Sequence, residues 1–147
     1  MRSSFKTILL AGPMVFLASV SSASFFDGKT PLLCSVYQLF ECDPPNACAA
    51  VTPDEIQGVS HLNIDFNGKV VTKVGEESAQ KSDIQSMETD VDGKLIIQGI
   101  DNGDADVRGG AGWTISIMDP EGTMVMAVAG DGFAVVGLGA CVPKPAS

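Results

Sequence analysis

His61-Leu62-Asn63-Ile64-Asp65-Phe66-Asn67-Gly68-Lys69-Val70-Val71-Thr72-Lys73-Val74 alternates apolar with polar side chains, breaks at Asn-Gly, and resumes as a second run rich in β-branched residues. A period of two puts Leu62, Ile64 and Phe66 on one face and His61, Asn63 and Asp65 on the other, the mark of a strand buried on one side. Asn-Gly between two such runs signals a hairpin, because the favoured two-residue turn needs φ > 0 at both positions. The stretch therefore reads as two antiparallel strands, His61–Phe66 and Lys69–Val74.

The same grammar recurs at Asp92-Gly93, at Asp119-Pro120-Glu121-Gly122 and at Asp131-Gly132. It predicts further strands over Ile84–Val91, Lys94–Ile100, Gly112–Met118, Thr123–Ala129 and Phe133–Gly139. With Leu32–Phe40 there are eight. The repeat of Asn67-Gly68-Lys69-Val70-Val71 in Asp92-Gly93-Lys94-Leu95-Ile96 is a recurring turn followed by a solvent-facing Lys, not a solenoid period. Trp113 is in phase with Ile115 and Ile117, which assigns the single Trp to the core. Tyr37, Leu39, Met118, Met124 and Met126 are assigned there too. The last two strands are apolar on both faces, so they are expected to be central or covered. Thr52-Pro53-Asp54-Glu55 carries a capping box with Pro at the first helical position, and Gly58 can end it, which predicts one short helical turn.

The chain has 147 residues, a hydrophobic fraction of 45% and a net charge of −9. That length holds one domain, and the acidic balance repels the phosphates of nucleic acid. Arg2 and Lys6 precede the apolar run Ile8 to Val20 and the small residues Ser21-Ser22-Ala23, the order of a secretory leader. The expected division is a signal peptide over 1–23 and one secreted β domain over 24–147, without membrane insertion after cleavage. Loss of two basic residues with the leader leaves 18 acidic against 7 basic side chains, a net −11.

All four cysteines, Cys34, Cys42, Cys48 and Cys141, lie in the expected mature part. An even number in an oxidising compartment implies two disulfides, and four cysteines allow three pairings. Asp43-Pro44-Pro45-Asn46 is turn chemistry between Cys42 and Cys48, favouring that bridge and leaving Cys34 to Cys141. A zinc site is not expected, since His61 has no second His or Cys-x-x-Cys near it.

Catalytic signals are absent as patterns. No Gly-x-Ser-x-Gly elbow occurs, the cysteines are used in bridges, and His61 reads as an outward, solvated residue four before Asp65. Asp101-Asn102-Gly103-Asp104-Ala105-Asp106 offers hard oxygen ligands but lacks the spacing and terminal bidentate Glu of an EF-hand, so it reads as a long loop without metal. No cofactor is expected.

Phe40-Glu41-Cys42-Asp43-Pro44-Pro45-Asn46-Ala47-Cys48, Val51-Thr52-Pro53-Asp54-Glu55 and Gly137-Leu138-Gly139-Ala140-Cys141 resemble small uncharacterised exported proteins of Gram-negative bacteria. The resemblance implies an exported protein and no particular activity. In architecture the chain is also loosely similar to the small eight-stranded barrels that include periplasmic inhibitors of c-type lysozyme, although their Ser-Gly-x-Lys-Tyr loop has no counterpart here.

The expected fold is thus an all-β antiparallel meander of about eight strands, closed as a small barrel or folded as a sandwich, with one helical turn and two disulfides. The expected function is a non-catalytic binding module of the cell envelope, periplasmic or secreted, that is protein-binding or inhibitor-like. The alternative is a small-ligand carrier, which needs an apolar cavity of roughly 300 Å³ or more; a hydrolytic enzyme ranks last. The expected recognition surface is Glu41 to Gly58, where cysteines and prolines limit chain freedom and Asp43, Asp54 and Glu55 present negative charge to a basic protein partner. The loop from Asp101 to Gly112 is the second choice.

Overall fold

A computed structural model describes residues 24–45, 47–56, 58–75, 81–101 and 110–145. The expected leader over 1–23 and residues 102–109 of the expected acidic loop lie outside the described residues. The strands are β1 (Leu32–Cys42), β2 (Ala49–Val51), β3 (His61–Asp65), β4 (Val70–Lys73), β5 (Lys81–Thr89), β6 (Lys94–Asp101), β7 (Ala111–Met118), β8 (Thr123–Gly130) and β9 (Phe133–Pro143). From β3 to β9 each strand pairs antiparallel with the next, and β1 pairs with both β3 and β9. The sheet therefore closes as an eight-strand barrel, not a sandwich. β2 is a ninth strand, added to the far half of β1 through Leu39, Phe40 and Glu41.

Closure rests on a long seam. β1 and β9 pair from Leu32 opposite Pro143 to Cys42 opposite Ala134, and Cys34 faces Cys141 directly across it. Both disulfides have the expected pairing: Cys34 to Cys141 across 107 residues and Cys42 to Cys48 across 6.

The core is the set of inward positions dictated by alternation. Leu32, Ile64, Leu95, Ile97, Ile117 and Met124 are fully buried, and Phe26 from the N-terminal segment closes one end beside Gly122. Leu39, Met126 and Trp113 are buried as expected, but Tyr37 is 68% exposed and Met118 also faces out. A bulge between Val36 and Gln38 accounts for Tyr37: the extra residue leaves the pleat, and Leu39 recovers the inward phase. A second bulge interrupts β5 between Ile84 and Ser86.

β8 and β9 are not covered on both faces. Met124, Met126, Val135, Gly137 and Gly139 point inward, while Val125, Ala127, Ala129 and Ala140 are exposed on the outside. Inward glycines make room for large neighbours. A Cβ at Gly99 would collide with the Trp113 ring and the Asp83 carbonyl oxygen, so the strand-paired Gly99 is the bed on which Trp113 lies.

All four hairpins form where the turn signals stand, three at Asn-Gly or Asp-Gly and one at Asp119-Pro120-Glu121-Gly122, but not with φ > 0 at both positions. Gly93, Gly122 and Gly132 are left-handed while Asp92 and Asp131 are not, and in the first hairpin the left-handed residue is Lys69. Three of the loops are four residues long rather than two. Such loops are built on an ordinary turn with one left-handed residue at its end. Aspartates close two of them: Asp65 Oδ1 accepts from Asn67 and Gly68 N–H, and Asp90 Oδ1 from Asp92 and Lys94 N–H. Lys69 is solvent-facing as expected, whereas Lys94 is half-buried, 3.5 Å from Asp90.

The helical turn at Thr52 does not form. Glu55 Oε2 accepts from the Thr52 amide at 2.7 Å and its hydroxyl at 2.9 Å, so the box closes, but on a simple turn. The Gly58 amide donates to the Pro53 carbonyl at 2.7 Å, five residues back. The chain thereby wraps around the turn and satisfies its polar groups before a helix can propagate.

Candidate functional site

The barrel ends are unlike. Loops 66–69, 90–93 and 119–122 make tight turns at one end. At the other, the chain leaves the barrel at Cys42 and returns at His61, the ends of β4 and β6 and the starts of β5 and β7 lie there too, and the two-residue turn 131–132 joins β8 to β9. Function concentrates on longer connections held by a rigid scaffold, which directs attention to this end.

A partly open cavity of about 200 Å³ lies there. Trp113, Ile115, Met126 and Val128 line it from β7 and β8, and Leu39, Leu62 and Val71 from β1, β3 and β4. Its roof is the excursion between β1 and β3. The Cys42–Cys48 bridge and the pairing of β2 hold one end of that excursion, and Val36 N–H donating to the Ser60 carbonyl at 2.8 Å holds the other. Ile56 and Val59, half-buried against the core, are thereby set over the cavity.

Among the polar residues of the lining, three stand in the inward phase. Lys73 is strand-paired with Leu62, Ser82 with Val71 and Asp101 with Ala111, so each falls in the inward phase near the mouth. They form a polar collar on an apolar cup. Trp113 is 9% exposed and its Nε1 is buried with no hydrogen-bond partner among the described residues.

The sequence-predicted site residues lie on the roof segment without converging. Asp43 is half-buried and engaged, Asp54 is exposed, and the exposed Glu55 turns its carboxylate onto its own turn. The Thr52 amide, and secondarily the Thr52 hydroxyl, hold Glu55 below the usual carboxylate range. Of the acidic loop only Asp101 is described, and it lines the cavity. Among the described residues no group of three His, Cys, Asp or Glu side chains is placed to hold a metal. His61 is exposed on β3, as expected.

No protein-family model matches this chain, and no curated protein matches it significantly. Alternation in the sequence allows an apolar cavity in a barrel but does not place it, because its place depends on which strands pair, yet one local signal points to its mouth. Lys73 lies two residues after Val71 and so shares its inward phase, as Asp101 shares that of Ile97 and Gly99; a charge in a core phase at a strand end marks a mouth.

Proposed function

We propose that the protein is an exported, non-catalytic protein-binding module that captures one apolar side chain of a basic partner segment in the mouth of its barrel. The carrying observation is the cavity's size and place. At about 200 Å³ it falls below the roughly 300 Å³ expected of a small-ligand carrier. A cavity near 150 Å³ holds benzene, so this one suits a single aromatic or branched aliphatic side chain. Protein interfaces concentrate affinity in such anchors, seated in desolvated pockets and surrounded by a rim that excludes water. The disulfide-pinned roof supplies the rim and lowers the ordering cost of association. Asp54 on that roof, in a chain of net charge −9, selects a basic partner.

The two disulfides fit an oxidising, exported location, and the leader pattern directs the reading to the periplasm or the exterior. A free ring-sized molecule is the alternative occupant, since the same cavity would admit it.

The test is a calorimetric titration with a peptide of four lysines flanking a central phenylalanine, compared with its alanine counterpart. The phenylalanine peptide should bind at least about tenfold tighter, the effect of roughly 1.4 kcal/mol from seating one ring. Val128→Phe, which fills the cavity from the wall, should remove that advantage, and Asp54→Lys should weaken both peptides alike. Equal binding of the two peptides to the unaltered protein would reject the anchor.

A further inference from the structure

We infer that the Cys42–Cys48 bridge is a redox latch on the roof of the cavity, opened by a dithiol reductant while the barrel stays closed. The inference rests on the binding reading above and concerns its regulation. Accessibility separates the two bridges. Cys34 and Cys141 are 0% and 2% exposed, enclosed in the seam between the pairs Leu33–Val142 and Ser35–Ala140. Cys48 is exposed and Cys42 half-buried, and the neighbouring Pro44, Pro45, Ala47 and Ala49 are exposed as well. Thiol–disulfide exchange needs a thiolate to reach one of the two sulfurs. In the folded chain that condition is met at Cys48 and not at the seam.

Strand register shows what the accessible bridge holds. β1 and β2 pair at Leu39 with Val51, Phe40 with Ala50 and Glu41 with Ala49. The next step of that register sets Cys42 opposite Cys48, so the bridge clasps the end of a three-pair ladder. Among the described residues β2 has no second neighbouring strand. The seam bridge lies inside a much longer ladder and closes a loop of 107 residues against 6. Because a longer closure ties a bridge more strongly to the folded state, the seam bridge resists reduction at equilibrium as well as in rate. Opening the short one leaves the seam intact. It frees the end of the roof next to β2, while the bond from Val36 N–H to the Ser60 carbonyl holds the other end. Ile56 and Val59, which wall the cavity from that roof, are then no longer fixed over it.

The exchange balances with the dithiol alone. Its thiolate attacks Sγ of Cys48, the Cys42–Cys48 bond breaks, and Cys42 leaves as a thiolate that takes up a proton. The second thiol of the reductant, deprotonated in turn, attacks the mixed disulfide and releases Cys48, which is also protonated. The two hydrogens of the dithiol end on Cys42 and Cys48, and the reductant is left as a disulfide, oxidised by two electrons.

Graded ratios of reduced to oxidised dithiothreitol, followed by alkylation and peptide mapping of the folded chain, test the latch. Cys42 and Cys48 should be labelled at a ratio at least about tenfold lower than Cys34 and Cys141 require. At that ratio amide exchange should quicken over Ala49–Val51 and at Gly58, but not at Cys141, whose amide donates to the Gly122 carbonyl at 2.8 Å. The preference for the phenylalanine peptide over its alanine counterpart should fall on reduction and return on reoxidation. A chain with Cys42→Ala and Cys48→Ala should have lost that preference already and should not respond to the same ratio. Joint reduction of both bridges, unchanged exchange on the roof, or a peptide preference that survives selective reduction would each overturn the latch. An oxidised chain without any phenylalanine preference would instead reject the anchor, and labelling and exchange would still decide the latch.

Discussion

Gly99 and Trp113 show how a single position sets the barrel's interior. The two are cross-strand partners on β6 and β7, and the ring occupies the space a Cβ would need. Gly99→Ala must therefore displace both the indole and the Asp83 carbonyl. Overpacking of this kind costs about 1 to 3 kcal/mol, with the upper end expected because one obstacle is backbone. Gly112 is the control, being exposed on β7 with open space where a Cβ would go. Gly112→Ala should change stability by no more than about 0.5 kcal/mol. Urea denaturation of both variants checks the pair, and equal stabilities would discard the steric reading. The Trp113 phase was legible in the sequence from Ile115 and Ile117. The role of Gly99 was not, because a glycine within a strand announces close approach without naming what approaches.

At the scale of elements, what sequence could and could not reveal follows from how local the cause was. The eight strands and four hairpins were readable because alternation and Asp-Gly or Asn-Gly are encoded within a few residues. Tyr37 was misplaced because a bulge is settled by pairing with β9, not by its own neighbours. β2 went unseen because Ala49–Val51 is too short to alternate and becomes a strand only against Leu39, Phe40 and Glu41. The turn after it had the right capping residues and the wrong conformation. Its carboxylate makes a testable contribution. Since Thr52 lowers the Glu55 pKa in the folded chain, the ionised form favours the closed turn. That contribution is present above the ordinary carboxylate value and disappears as pH falls through the lowered one. Glu55→Gln should make exchange of the Thr52 amide faster at neutral pH, and the difference from the native chain should vanish in acid. A difference independent of pH would show that charge at Glu55 is irrelevant to the turn.

On the scale of the molecule, the question left open by the sequence was barrel or sandwich, and no local pattern could decide it. Closure depends on β1 meeting β9, whose residues are about as far apart as the chain allows; the Cys34–Cys141 bridge spans 107 residues. Only the cysteine count carried a trace of it. The same distance makes the seam the most entropically demanding contact in the fold, because a long loop must be closed before its pairing is rewarded. A disulfide there removes that cost from the unfolded chain, with a stabilisation of about 4 to 5 kcal/mol, against about 2 kcal/mol for a loop the size of Cys42 to Cys48. The two bridges should therefore separate by role. Replacing Cys34 and Cys141 together with alanine should lower unfolding free energy by about 4 to 5 kcal/mol, a large part of a small domain's stability. Replacing Cys42 and Cys48 should cost about 2 kcal/mol and leave the barrel folded, while loosening the segment that holds Ile56 over the cavity. The phenylalanine-peptide advantage should then fall although the melting transition remains cooperative. Denaturation curves and peptide titrations on the two double variants read both effects; equal losses of stability, or an unchanged peptide preference in the second, would separate neither seam from roof and would refute this division.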